Sequence, residues 1–397
     1  MSETKLETAV VLPSGFRFDE VSSQTAPKTL GTPAPSLGPL AAFAGTFKGH
    51  GFNTIFRPES AATPTPLPVP VPPPPPPHDN ILELNLTSET LSFSKSLGSV
   101  PNRGMVQGDI FLNGVPYLQT INDITIPTQP TGIHFEPGLW IIVPATTNPA
   151  EGVTLVRMAS IPHGTTIEAQ GTFSTIAGKP TIPAVDITPF STANPANKIR
   201  FASQTAATNN TPRIPQNLTP FIAAGSITQA ILDDPNTLLR NHIASQTITS
   251  TTTISISTSP AAPLFGGGTD NIAFLLGDPA ALTNPGPPGP NAQALKMIAT
   301  FWIETVRHVI HVPIFTPGQH PPLTLLAETG EAGQPVPRFL VNPPIEITAP
   351  RTITVTSTQI QYSQEVFLNF NGLTWPHVSV ATLVPADDIP VPPSVWN

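Results

Sequence analysis

A histidine and a glutamate stand two positions apart in Gly132-Ile133-His134-Phe135-Glu136-Pro137. Residues i and i+2 of a β-strand face the same way, so His134 and Glu136 can form an acid/base pair or share a metal. The run Glu136-Pro137-Gly138 reads equally as a strand end followed by a turn. His163 lies between Pro162 and Gly164, a local kink able to aim an imidazole off a strand into a cavity, or to leave it on a loop bonded to backbone. Arg57 and Arg157 fall within or at the end of apolar runs. Either grips an anionic ligand through two hydrogen bonds, or alternation turns it to solvent. Trp140, Trp302 and Trp375 sit in apolar runs, where an indole packs a core or lines a ligand cavity. His308 and His311 are three apart, on opposite faces of a strand, so they make a zinc pair only on a helix.

Several chemistries are excluded. The chain of 397 residues has no cysteine, which removes disulfides, thiolate metal sites and cysteine nucleophiles. No His-Glu-x-x-His, Gly-x-Ser-x-Gly or EF-hand pattern is present. Neither Gly45 to Gly51 nor Gly266 to Gly268 leads into a helix, so neither is a phosphate cradle, and their glycines instead let a strand bend or approach another backbone. With a formal net charge of -8 and only 11% charged residues, the chain offers no basic surface for nucleic acid. The N-terminal segment is charged rather than apolar, and no long apolar run follows, so the expectation is a soluble cytoplasmic protein without a membrane span.

The 53 prolines disfavour helix interiors. Residues 1–38 are polar and aperiodic, a flexible arm. From 39 to 175 the sequence alternates at period two, as in "NILELNLTSETLSF", broken by a proline-rich loop at 61–78 that either is a stiff connection or docks a proline-recognising protein. Residues 176–220 read as a linker, and 221–397 as a second β region. Asp234-Pro235 there predicts a helix start, with Leu238, Leu239 and Ile243 on one face. Asn113-Gly114 and Asn371-Gly372 each predict a two-residue hairpin turn, and the shared Phe-Leu-Asn sequence beside them hints at a duplicated module. The run from Leu295 to Phe315 reads as strand. About a dozen strands and one or two short helices predict an all-β fold, an antiparallel barrel that is either single and large or two lipocalin-like modules.

Gly45-Thr46-Phe47-Lys48-Gly49-His50-Gly51 resembles the first-strand Gly-x-Trp-x-Gly-x-Gly signature of nitrobindin-like and lipocalin-like barrels, with Phe47 in place of tryptophan. The resemblance covers about ten residues and implies an apolar interior that holds haem, a fatty molecule or a polycyclic metabolite. If haem is bound, His163 is the preferred axial ligand, with Arg157, Trp140 and Arg57 as further binding residues. Three functions follow. The first is binding of a small hydrophobic molecule; the second is an enzyme on the same scaffold, a haem peroxidase-like catalyst or a cofactor-free cyclase or isomerase using His134 and Glu136; the third is a structural β-protein that recruits partners through its prolines.

Overall fold

The computed structural model describes residues 35–60, 64–71, 79–261, 264, 266–277, 290–328 and 335–396. Six consecutive strands come from the first half: β1 (Gly45–Pro58), β2 (Asn80–Phe93), β3 (Ile110–Asp123), β4 (Thr131–Val143), β5 (Thr154–Ile161) and β6 (Thr165–Ala177). Four come from the second: β7 (Thr247–Ser257), β8 (Gln293–Val312), β9 (Arg351–Phe370) and β10 (Leu373–Pro385). Each pairs antiparallel with the next in sequence, and β10 pairs back onto β1, closing a single up-and-down barrel. Of the two expected barrel arrangements, the single one is present. Closure pairs the first and last barrel strands with each other, so neither is left as an open edge there.

The closing seam explains the glycines of β1. A Cβ on Gly49 would stand 1.9 Å from the Thr382 carbonyl oxygen, and one on Gly51 would stand 2.2 Å from that of Val380 and 2.8 Å from the Glu89 carboxylate. Close approach of the last strand to the first, and room for a buried acid, are what these positions provide.

Two turn expectations separate here. Asn371 (φ 49) and Gly372 (φ 72) form the two-residue connection between β9 and β10, with the left-handed angles that such a hairpin needs. Asn113-Gly114 is not a turn. Both residues lie inside β3, paired with Ile142 and Ile141 of β4, where a Cβ on Gly114 would meet the Trp140 carbonyl oxygen at 2.4 Å. The Asn113 side chain accepts from the Gly98 N–H and donates to the Pro35 carbonyl. Its glycine serves tight strand coiling, and the hint of a duplicated hairpin module goes with it.

Helical structure is slight. The expected helix is α3 (Thr237–Ile243), preceded by α1 (Thr219–Ala223) and α2 (Gln229–Asp233); α4 (Ala273–Leu276) follows β7. Asp234 accepts from the Asn236 and Val185 N–H groups and pairs with Arg240, so it organises the entry to α3. Leu239 and Ile243 are buried, and Leu238 packs against the same core. The segment read as a linker joins the sheet at two places, Phe190–Ser191 pairing with β10 and Arg213–Ile214 pairing parallel with β2, and it buries Ile182, Val185 and Ile187 in the main core. Arg213 gathers it by donating to the carbonyls of Ser203, Thr205, Thr208 and Gln216. The proline tract at 72–77 falls outside the described residues, whereas Val69 before it exchanges backbone hydrogen bonds with the Gln216 side chain. The arm at 1–34 also lies outside them.

Side chains fill one end of the barrel. Phe43, Phe47, Phe93, Trp140 and Phe301 pack there, with Phe43 stacked on Phe93 at 4.5 Å and Trp140 edge-on to Phe301 at 5.2 Å. A 3₁₀ turn at Gly38–Ala42 plugs that end with the fully buried Leu40. β8 and β9 run beyond the wall to support a satellite core around Phe315, Phe339 and Trp396. The Gly49→Ala variant is expected to lose about 1 to 3 kcal/mol in urea denaturation, because its methyl has no space against strand β10. Gly108→Ala, in a loop with nothing within 4 Å of the added carbon, should stay within about 0.5 kcal/mol of the parent.

Candidate functional site

Inward-facing positions change character along each strand. On β4 they run Ile142, Trp140, Gly138, Glu136, His134, and on β9 Ile360, Tyr362, Gln364, Val366, Leu368. Apolar residues of the filled end give way to a polar layer, and beyond that layer the barrel is hollow.

The layer centres on Glu136 and Arg157, both completely buried. Arg157 Nη2 donates to Glu136 Oε1 at 2.5 Å, its Nε to the Tyr117 hydroxyl at 2.8 Å, and its Nη1 to Gln364 Oε1 at 2.7 Å. The Tyr117 hydroxyl in turn donates to Glu136 Oε1. Gly138 permits this: the Tyr117 ring occupies the space where its Cβ would be, 2.4 Å away. Below, the guanidinium carbon lies 5.3 Å from the Phe301 ring centre and 5.8 Å from that of Trp140. Trp140 is therefore packed under the arginine in the core and not on the cavity wall. Burial acts to raise the Glu136 pKa, but the Arg157 charge and hydrogen bonds from His134 and Tyr117 outweigh it and hold it near about 2.

A second buried acid lies beside the first. Glu89 accepts from the Tyr362 hydroxyl at 2.6 Å, Gln119 at 3.3 Å and Thr87 at 2.8 Å. It has no arginine, so burial raises its pKa against those hydrogen bonds. Both tyrosines of the chain thus cap buried carboxylates.

Above this floor is a partly enclosed cavity of about 450 Å³, within the roughly 300–1,000 Å³ of small-molecule sites. Its lining mixes aliphatic side chains, including Ile55, Ile121, Ile167, Val366 and Leu368 and Leu275 of α4, with polar ones such as Asn53, Asn85, Gln119 and Gln364, and most of its surface is apolar. Three imidazoles enter it. His134 Nε2 is 3.0 Å from Glu136 Oε2. His163, carried on the β5–β6 turn at Gly164 (φ 82), has its ring centre 6.5 Å from that of His134 and no hydrogen-bond partner among the described residues. Burial and the nearby His134 lower its pKa. His377 Nε2 is 2.7 Å from Asn53 Nδ2, and burial, with the two other histidines, pushes its pKa down to about 3.

His134, Glu136, Arg157 and His163 are thus brought together, and Arg57 lies apart. It is partly exposed and bound through Nε to Glu83 at 2.7 Å, a wall residue of the cavity. His308 donates to or accepts from Ser357, and His311 pairs with Glu328, well away from one another's partners. Among the described residues no group of three or more histidine, aspartate or glutamate side chains is arranged to hold a metal ion. Toward a haem, His163 keeps ring nitrogens without a partner among the described residues, whereas Arg57, behind the wall residue Glu83, is already paired with it, so among the described residues no unpaired arginine lines the cavity to meet a carboxylate edge.

His377, Asn53, Gln119, Gln364 and Glu89 were not foreseen from sequence. A usable signal was the pair of tyrosines, each on a strand that also carries an inward glutamine two residues further on. No helix among the described residues is long and apolar enough to cross a membrane. No family model and no curated protein matches the chain. Among solved structures, the crystal structure of Rv2717c from M. tuberculosis is similar to it with a TM-score of 0.33 at 10% identity, over 90% of this chain and 100% of that one.

Breaking the buried pair by Arg157→Met should cost about 3 to 5 kcal/mol, since an uncompensated carboxylate remains. Adding Glu136→Gln should recover much of that in urea titrations. The folded pKa of Glu136 is depressed, so its stabilisation is complete above about 4.5 and fades as pH falls toward about 2. Stability curves of the parent and of Glu136→Gln/Arg157→Met should accordingly converge across that window.

Proposed function

We propose that the barrel binds a small, neutral, largely apolar molecule bearing a hydrogen-bonding group. The observation that carries this reading is the cavity itself, apolar on its walls and furnished with three imidazoles, each of which has a nitrogen without a partner among the described residues. Apolar walls supply the driving force and a few convergent polar groups supply orientation. A neutral guest is favoured because the Glu136–Arg157 and Glu83–Arg57 pairs cancel internally. The resemblance of Gly45 to Gly51 to nitrobindin-like and lipocalin-like proteins leads to the same class of guest, with haem as its anionic variant.

The test uses 1-aminoanthracene, a neutral fluorescent tricycle. It should bind the parent with one site and enhanced emission, and Ala294→Trp, which fills the cavity from β8, should weaken it at least tenfold while thermal melting stays cooperative. Hemin should displace it poorly and give no Soret shift that depends on His163. Affinity unchanged by Ala294→Trp would overturn the reading.

A further inference from the structure

The hydrogen bonds of two cavity histidines fix them in opposite roles. Glu136 is ionised and already accepts from Arg157 and Tyr117, so at His134 Nε2 it can only accept a further proton. His134 therefore carries its proton on Nε2 and leaves Nδ1 as a bare lone pair. At His377 the sense is reversed. Asn53 Oδ1 accepts from the Asn85 amide at 3.3 Å, so the Asn53 amide nitrogen is the group facing His377 Nε2 and the Ser379 hydroxyl, at 2.7 and 2.8 Å. A donor against Nε2 puts the His377 proton on Nδ1. Both residues line the same cavity.

We propose that the cavity catalyses proton transfer on an enolisable carbonyl compound, with His134 Nδ1 as the general base and His377 Nδ1–H as the donor to the carbonyl oxygen. This rests on the binding reading above. In the step, the Cα–H bond breaks and its proton goes to His134 Nδ1. The electron pair forms a C=C bond, and the carbonyl π pair moves to oxygen as an enolate that accepts a hydrogen bond from His377. The new imidazolium forms against the Glu136 carboxylate, where a positive charge is welcome. Once the imidazolium has swapped its proton with solvent water, delivery back to the same carbon gives exchange, and delivery to the γ-carbon of a β,γ-unsaturated ketone moves the double bond; neither needs an oxidant. His377 is kept neutral by burial, and a neutral imidazole remains a donor without surrendering its proton. Glu136 and Asn53 are positioning residues that act through the two imidazoles.

The experiment has two parts. Nitrogen-15 NMR of the full chain should show His134 as the Nε2–H tautomer and His377 as the Nδ1–H tautomer, and Asn53→Asp should invert His377 only. The reverse assignment in the parent overturns the proposal. Next, 2-tetralone, a neutral bicyclic ketone, is incubated with protein in D₂O and its α-proton signals are followed. Loss of those signals should be at least 100-fold faster than with equimolar free imidazole. His134→Gln, which still donates to Glu136 but has no basic nitrogen, should lose roughly 100-fold or more of that rate with Kd changed less than threefold. His377→Phe should lose a comparable factor. Binding of 2-tetralone without accelerated exchange would overturn catalysis and leave the binding reading intact, whereas failure of both 2-tetralone and 1-aminoanthracene to bind would remove both.

Discussion

The ion pair between Glu136 and Arg157 is the interaction around which the interior is arranged. Two charges taken out of water are tolerable only if every remaining lone pair and N–H finds a partner. Tyr117, Gln364 and His134 provide those partners from three further positions around the wall. An eight-stranded barrel can be filled by its own side chains, and a ten-stranded one is wider. The chain answers that width differently at its two ends, with aromatic rings and the Leu40 plug at one and a hollow at the other. The polar layer is the boundary between them. Because it is satisfied from within, its upper surface is a preset floor rather than a set of groups waiting for water.

Barrel closure and imidazole chemistry are linked through the seam. Asn53 of β1 pairs in register with Ser379 of β10, and His377 is two residues before it. The amide that sets the His377 tautomer therefore reaches it only across the junction that Gly49 and Gly51 make tight. Gly51 also leaves the space that the Glu89 carboxylate approaches. One short glycine-bearing segment thus serves wall geometry, acid burial and histidine orientation together.

Alternation made the barrel class legible, since a period of two with one buried face is a local property of each strand. His134 and Glu136 were legible for the same reason, being two apart on a single strand, and Arg157 stood out as a charge in an apolar run. Turn chemistry was legible only where the backbone demanded it: Asn371-Gly372 adopts left-handed angles, whereas Asn113-Gly114 has the same two side chains put to other uses inside a strand. What sequence could not disclose were partners brought together by closure. Asn53 and His377 are separated by 324 residues, and Glu89 and Tyr362 by 273. Nothing local to either member announces such a pairing. Trp140 shows the converse, an aromatic in a strand that could line a cavity and instead lies beneath the arginine.

The two buried acids are set to different protonation by their surroundings. Glu136 has an arginine and is held ionised well below ordinary pH; Glu89, one layer position away and served only by neutral donors, is pushed the other way. Environments that drive neighbouring carboxyls apart are the usual means of assigning them different protonation states. A carboxylate that is both permanently charged and already neutralised can orient an imidazole without drawing a cationic guest into the cavity. Its attraction for the His134 ring is strongest when that ring is protonated, because neutral Nε2–H donates one hydrogen bond and the imidazolium adds a full charge to it. For the proposed proton transfer, the arrangement answers a charge that develops rather than one that is carried in.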